Sequence, residues 1–297
     1  MASSPQRFRL IKTLWGVTET SRVECWPHLF ERIKADGFDG IELCIGPFFP
    51  FTQDRDRFHR LLQASGLALV AQIHTCGYPV SSGNVQDHIA SFATLAEQAA
   101  RWQPVLINSH SGKDSFSRAD AMTFFTASMD VERQIGIPIA HETHRQRILH
   151  SPFAYRDLMS ALPRDLKLTA DLSHWVVGLE RCMSSERDAE FWPAVLDDVA
   201  ARTSHIHARV GWAQSPQVAD PEAPEHHADV EAHFSWWDTI VRSMRMRNVD
   251  VTIEPEFGPY PYLAALPYTK MPVADLWDVN SKFGKRLQER YRTASNA

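Results

Sequence analysis

The chain has 297 residues, 44% of them hydrophobic and 23% charged, with 31 Lys and Arg against 36 Asp and Glu and a net charge of −5. That composition excludes a disordered or fibrous chain and fits a globular protein with a sizeable core. The slight acidity, with no block of one sign, argues against a nucleic-acid partner, which wants a basic stripe. Cys25, Cys44, Cys76 and Cys182 are scattered without C-x-x-C spacing. They read as reduced thiols, as in a cytosolic protein, rather than as a disulfide framework. The opening "MASSPQRFRLIKTLWG" has no apolar signal core, and no run approaches the ~18 apolar residues of a membrane span. A cytoplasmic protein is therefore expected, with no membrane association.

Taken in order, the chain alternates short apolar runs with amphipathic stretches. "RLIKTLWGV" (9–17) reads as a strand, followed by a helix at 25–36 and Gly37 where a C-cap glycine belongs. A strand at 38–43, a helix at 55–65 closed by Gly66, and a strand at 67–75 come next. Asn84 is placed as the N-cap of a helix over 84–102, and a strand over 104–111 follows. The helix at 118–135 ends at Gly136 and leads into the strand 138–144. Ser151 caps a helix over 151–161; then come a strand at 166–174, a helix at 189–203 and a strand at 205–211. A helix over 231–247, a strand over 250–258 and a helix over 272–293 complete the chain. The runs are uniformly apolar, as expected of strands covered on both faces. Eight strands strictly alternating with eight helices, with no linker, predict one α/β domain over residues 1–297, a single (β/α)8 TIM barrel. A doubly wound sheet is disfavoured because no G-x-G-x-x-G follows the first strand.

In such a barrel the strands' C-terminal ends build the site. "PIAHETHRQR" (138–147) turns from apolar to polar there, with His141, Glu142, Thr143 and His144. Its neighbours behave alike. His74 and His110 end strands 3 and 4, Asp171 and His174 lie at strand 6, and His205, His207 and Arg209 at strand 7. Glu254 and Glu256 lie at strand 8, Glu254 being preferred. Side chains on a strand have period two, so Glu142 and His144 share a face, as do His205, His207 and Arg209. Carboxylates converging on one axis would repel and lose solvation unless compensated, and a divalent cation is the simplest compensation. Taken singly, His74, His141 and His205 read as hydrogen-bonded structural residues. "HHADVEAH" (226–233) reads as a solvated loop and helix start.

With these positions in place, the chain resembles the xylose-isomerase-like TIM-barrel superfamily, which includes sugar-phosphate isomerase/epimerase-like proteins, ketose 3-epimerases and the endonuclease IV family. The matches are "GFDGIEL" (37–43), "NSHSG" (108–112), "HETH" (141–144), "TADLSHW" (169–175), "HIHARVG" (205–211) and "TIEPEFG" (252–258). The resemblance implies one divalent ion held by Glu142, Asp171, His207 and Glu254. That oxygen-rich set suits Mn²⁺ or Mg²⁺ and admits Zn²⁺. It also implies that His174 binds substrate oxygens. The family's substrate-positioning arginine normally falls several residues after the strand-7 histidine, whereas Arg209 follows His207 by only two.

The expected activity is isomerisation or epimerisation of a ketose or related keto-sugar through an enediolate. Glu142 and Glu254 would act as the catalytic pair on opposite faces of the carbon next to the carbonyl. Substrate contacts are expected from His174, Arg209, His74, His110, Trp15 and Trp175. The long segments 212–231 and 258–270 would form the rim, with Trp212 and the tyrosines of "GPYPYLAALPYTK" (258–270). No glycine-rich phosphate cradle is visible, which favours an unphosphorylated sugar. The alternatives are a lyase or dehydratase, or a hydrolase; the nuclease reading lacks the family's Asp-x-His pair, since Asp220 is followed by Pro221 and Glu222. A non-catalytic sugar-binding barrel and association of like chains also remain open at this level.

Overall fold

A computed structural model describes residues 6–45 and 54–292. Eight parallel strands close into one barrel in the order β1 to β8, and β1 pairs with β8. They are β1 (Phe8–Thr13), β2 (Gly40–Cys44), β3 (Ala68–His74), β4 (Leu106–His110), β5 (Ile139–Glu142), β6 (Lys167–Ala170), β7 (Thr203–His207) and β8 (Val251–Glu254). Around them lie α1 (Trp26–Ala35), α2 (Arg55–Ser65), α3 (Val85–Ala100), α4 (Arg118–Ile135), α5 (Pro152–Met159), α6 (Ser173–Leu179), α7 (Trp192–Arg202), α8 (His227–Met246) and α9 (Leu276–Tyr291). The predicted alternation is present, with one addition and several shorter strands. Strand 6 does not run to 174 but stops at Ala170, because Ser173 starts the extra helix α6. Strands 7 and 8 likewise end at His207 and Glu254, so Arg209 and Glu256 stand just above the hydrogen-bonded ladder. Thr293, the last residue of the expected final helix, lies outside the described residues.

The caps follow side-chain chemistry. Asn84 and Asp87 exchange hydrogen bonds in a capping box, Ser151 accepts from the Ala154 N–H, and Gly66 and Gly136 close α2 and α4 in the left-handed region. At the bottom of the barrel Ile11, Val70, Leu106 and Ala140 form their own apolar plug. Gly40 leaves room for it: a Cβ there would lie 2.8 Å from Ile11 Cδ1 and 2.7 Å from the Ala68 carbonyl. The outer strand faces and the helices form the main core, which includes Trp26, Trp175, Trp192 and Trp237. One strand pleat above the plug the interior turns polar, with Thr13, Glu42, Asn108, Glu142, Thr169, His205 and Glu254 all buried. No described helix is long and apolar enough to cross a membrane.

His233, expected in a solvated helix start, is fully buried and joins α8 to the chain after β7. Its Nδ1–H donates to the Asp229 carbonyl (2.8 Å), and its Nε2 accepts from the Gly211 N–H (3.2 Å). A second ring proton would face the Gly211 donor, and burial lowers the His233 pKa to about 4. The group binds its proton more tightly unfolded than folded. Its stabilising effect is therefore complete above pH 6.5 and is lost as pH falls towards 4. Between pH 7.5 and 5, denaturant unfolding should show wild type losing about 2 kcal/mol more than His233→Gln.

Candidate metal centre and substrate cavity

At the carboxyl end of the barrel lies a cavity of about 380 Å³ walled by Trp15, Glu42, His74, Tyr78, His110, Glu142, His144, Arg209, Glu256 and Tyr262, among others. Its floor is the polar interior layer. Glu142, Asp171, His207 and Glu256 bring one ligand atom each to within 4.8 Å of one another, and all four are buried. His207 Nδ1 lies 2.9 Å from Glu256 Oε2 and 3.6 Å from Glu142 Oε2. Glu142 Oε1, Glu256 Oε2 and His207 Nδ1 make no well-aligned hydrogen bond among the described residues, the last two meeting only each other as an ion pair. Buried polar atoms are normally paired, so three such atoms beside one another mark a place for a shared cationic partner. Three carboxylates with one imidazole form a hard donor set that fits Mn²⁺ or Mg²⁺.

Three of the four expected ligands are in that group; the fourth, Glu254, is not. Glu254 sits one pleat deeper and forms a different buried cluster with Glu42, His205 and His207. It does not line the cavity, and neither of its oxygens has a hydrogen-bond partner there. In that group Glu256 stands where Glu254 was expected. Both acids point inward because they are two residues apart; the difference is depth, about 6–7 Å along an extended chain.

The cavity's electrostatics follow from burial and close charges. Burial pushes Glu142 above the usual carboxylate range, against the pull of His207 and of the Asn108 amide that donates to it (2.7 Å). Burial likewise pushes Asp171 up to about 6, opposed by Arg209. Burial acts to lower His207, yet the carboxylates of Glu256, Glu42 and Glu142 hold it well above the usual imidazole range. Arg209 is also fully buried, and its pairing with Asp171 and Glu256 keeps it charged. Deeper still, burial drives Glu254 well above the carboxylate range, with Glu42 adding to the shift. His74, His110, His144 and His174 are held neutral, chiefly by desolvation. They form a chain of ring contacts: His74 to His110 at 4.2 Å, His110 to His144 at 4.4 Å and His144 to His174 at 3.8 Å.

The expected substrate contacts divide into three sets. Trp15, His74, His110 and Arg209 line the cavity. His174 is fully buried behind it and accepts from Arg209 Nη2 (2.7 Å), so it meets the cavity through the guanidinium. Trp175 lies in the core against Tyr155 and Trp192 and donates to the Leu149 carbonyl, because α6 turns it outward. Trp212 lies beside His226, away from the cavity, and Tyr260 and Tyr268 are exposed. Of the three rim tyrosines only Tyr262 lines the cavity, packed edge-on against Trp15 at 4.8 Å with the Arg209 guanidinium 4.9 Å from its ring. His141 is structural, between Ser111 and Ser128 beneath α4, and burial lowers its pKa to about 3. Glu42 and Tyr78 were not assigned from the sequence; the signals were an acid inside "GFDGIEL" and a tyrosine four residues after His74.

A family model described as a xylose isomerase-like TIM barrel matches residues 30–268, most of the chain. The chain belongs to this family. Among solved structures, this xylose isomerase-like barrel is similar to a xylose isomerase-like TIM-barrel protein from Mycobacterium smegmatis in complex with magnesium (14% identity, TM-score 0.65, 97% of both chains covered). It is also similar to D-allulose 3-epimerase from a Methylomonas species in complex with D-allulose (13% identity, TM-score 0.60, 97% and 98% covered). A third is a probable 3-DHS dehydratase involved in petrobactin synthesis in Bacillus anthracis (13% identity, TM-score 0.55, 95% and 99% covered). At these identities the likeness concerns the fold. No curated protein matches the chain.

Because burial raises its pKa, ionised Glu142 opposes folding as pH climbs above the ordinary carboxylate value. In chelator-treated protein at pH 7.5, Glu142→Gln should therefore raise the Tm, read by calorimetry.

Proposed function

We propose that this barrel is a divalent-cation-dependent sugar isomerase or epimerase acting on a ketose or related keto-sugar. The observation that carries the reading is the convergence of Glu142, Asp171, His207 and Glu256, of which Glu142 and Glu256 line a sugar-sized cavity. Among the similar folds are an epimerase crystallised with D-allulose and a barrel crystallised with magnesium, which supports the substrate class and the cation.

Glu142, Asp171, His207 and Glu256 would hold the ion, which supplies Lewis-acid stabilisation of charge developing on substrate oxygens. The expected Glu142 and Glu254 pair becomes Glu142 and Glu256, because these are the two quartet glutamates that line the cavity. Coming from β5 and from just beyond β8, they approach from separate walls. One removes the proton next to the carbonyl and the other returns a proton, which reverses a stereocentre if the faces differ. His110 Nε2 lies 2.8 Å from Glu142 Oε2. Arg209, buttressed by His174, fixes Asp171 and presents its guanidinium to substrate oxygens above the floor. Trp15 and Tyr262 offer apolar faces to the sugar's carbon skeleton.

With added Mn²⁺, a panel of free ketoses and keto-polyols in D₂O should show deuterium entering next to the carbonyl by NMR. Glu142→Gln and Glu256→Gln should each slow exchange by about 10²–10⁴-fold. Asp171→Asn should lower Mn²⁺ affinity, read by calorimetric titration. Exchange accompanied by loss of a β-hydroxyl would move the assignment to a lyase, and inertness of the whole panel would overturn the isomerase reading.

A further inference from the structure

Glu42, the middle residue of β2, is outside the proposed quartet yet touches His207 from its other side. Its carboxylate is 3% exposed and accepts from four side chains. Gln72 Nε2 (3.0 Å) and Asn108 Nδ2 (3.2 Å) donate to Oε1, and His205 Nε2 (3.1 Å) and His207 Nε2 (3.2 Å) face Oε2. The second oxygen, Oε1, is also 3.2 Å from His207 Nε2. His207 thus spans two levels, with Nδ1 turned up to Glu256 and Glu142 and Nε2 turned down to Glu42.

An imidazole that gives one nitrogen's lone pair to a cation must carry its proton on the other nitrogen. In a buried site that N–H needs an acceptor, since leaving it unpaired costs about 1–3 kcal/mol. Glu42 is the acceptor at hand. We propose that Glu42 is a positioning residue that fixes the His207 ring and its Nε2 proton, so that Nδ1 is presented to the cation. The inference rests on the cation-dependent reading above and deepens it. A second linkage points the same way. The Asn108 amide donates to both Glu42 Oε1 and Glu142 Oε2 (2.7 Å), so one side chain ties the carboxylate below the floor to a ligand carboxylate within it. The NH₂ end must face these groups, because both are acceptors.

Glu254 provides the contrast. It belongs to the same deep cluster, but its ion-pair contact there is with His205 at 3.8 Å rather than with His207. If Glu42 acts through geometry, removing its charge should weaken the cation site, whereas the same change at Glu254 should not.

The test is Mn²⁺ titration followed by electron paramagnetic resonance at constant pH, on wild type, Glu42→Gln and Glu254→Gln. Thermal unfolding of the cation-free proteins checks that each is folded. Partners that orient a ligand histidine typically contribute about 10–100-fold to metal affinity. Glu42→Gln is expected to lose that much, while Glu254→Gln stays within about threefold of wild type by the same scale. Should Glu42→Gln not fold, Glu42→Asp keeps the charge but withdraws it by one methylene, and is expected to bind Mn²⁺ more weakly than wild type. Wild-type affinity in the folded Glu42 variant, or an equal loss in Glu254→Gln, overturns the positioning role and leaves the cation site standing. Failure of wild type itself to bind Mn²⁺ or Mg²⁺ overturns both readings.

Discussion

Glu42, Glu142, Asp171, Glu254 and Glu256 are all buried at the carboxyl end of one barrel, and the cost of taking five carboxyl groups out of water shapes everything around them. The protein meets that cost in three ways. Arg209 and His207 supply positive charge from β7 and its extension, holding Asp171, Glu256 and Glu42. Neutral donors add to this: Gln72 and Asn108 donate to Glu42 Oε1, and Asn108 also to Glu142 Oε2. Where neither is enough, burial drives Glu142 and Glu254 towards their protonated forms. What is left over is Glu142 Oε1 and the facing pair of Glu256 Oε2 and His207 Nδ1, which make no well-aligned hydrogen bond among the described residues.

The apolar plug of Ile11, Val70, Leu106 and Ala140 bears directly on this arrangement. It fills the barrel interior below the polar layer, and among the described residues the cavity opens onto that layer from the other side. In a low-dielectric chamber of this kind, small differences in geometry become large differences in proton and cation affinity. That makes the orientation of one ring, His207, a matter of consequence.

The barrel was legible because it is written in period and punctuation. Apolar runs marked the strands, and Gly66, Gly136, Asn84 and Ser151 marked helix ends through the backbone conformations and caps they favour. The face on which each site residue lies was also legible, because alternation along a strand is rigid. Depth was not. His205 and His207, or Glu254 and Glu256, look equivalent in a string of letters, and what separates them is the tilt and register of the strands in the closed barrel. Strand position and the family resemblance both point to Glu254, whereas the ladder stops at that residue and Glu256 beyond it lines the cavity. Trp175 and Trp212 were misplaced for a related reason. A tryptophan near a strand end is equally at home in core or cavity, and the turn into α6 sends Trp175 to the core. Glu42 carried too little local signal to stand out, since its role is defined by four partners brought from β3, β4 and β7.

Two segments frame the mouth, one after β7 and one after β8, and they are stitched together by a reciprocal pair of hydrogen bonds. The Gln217 amide donates to the Gly258 carbonyl and accepts from the Gly258 N–H. A Cβ on Gly258 would come within 2.0 Å of the Trp15 ring, so the aromatic wall packs directly on this bare backbone. Three separate stretches of chain therefore share a single joint. Transplanting a rim loop from a relative to alter sugar preference cannot be done piecemeal here: the donor would have to bring its partner loop and its aromatic neighbour as one cassette.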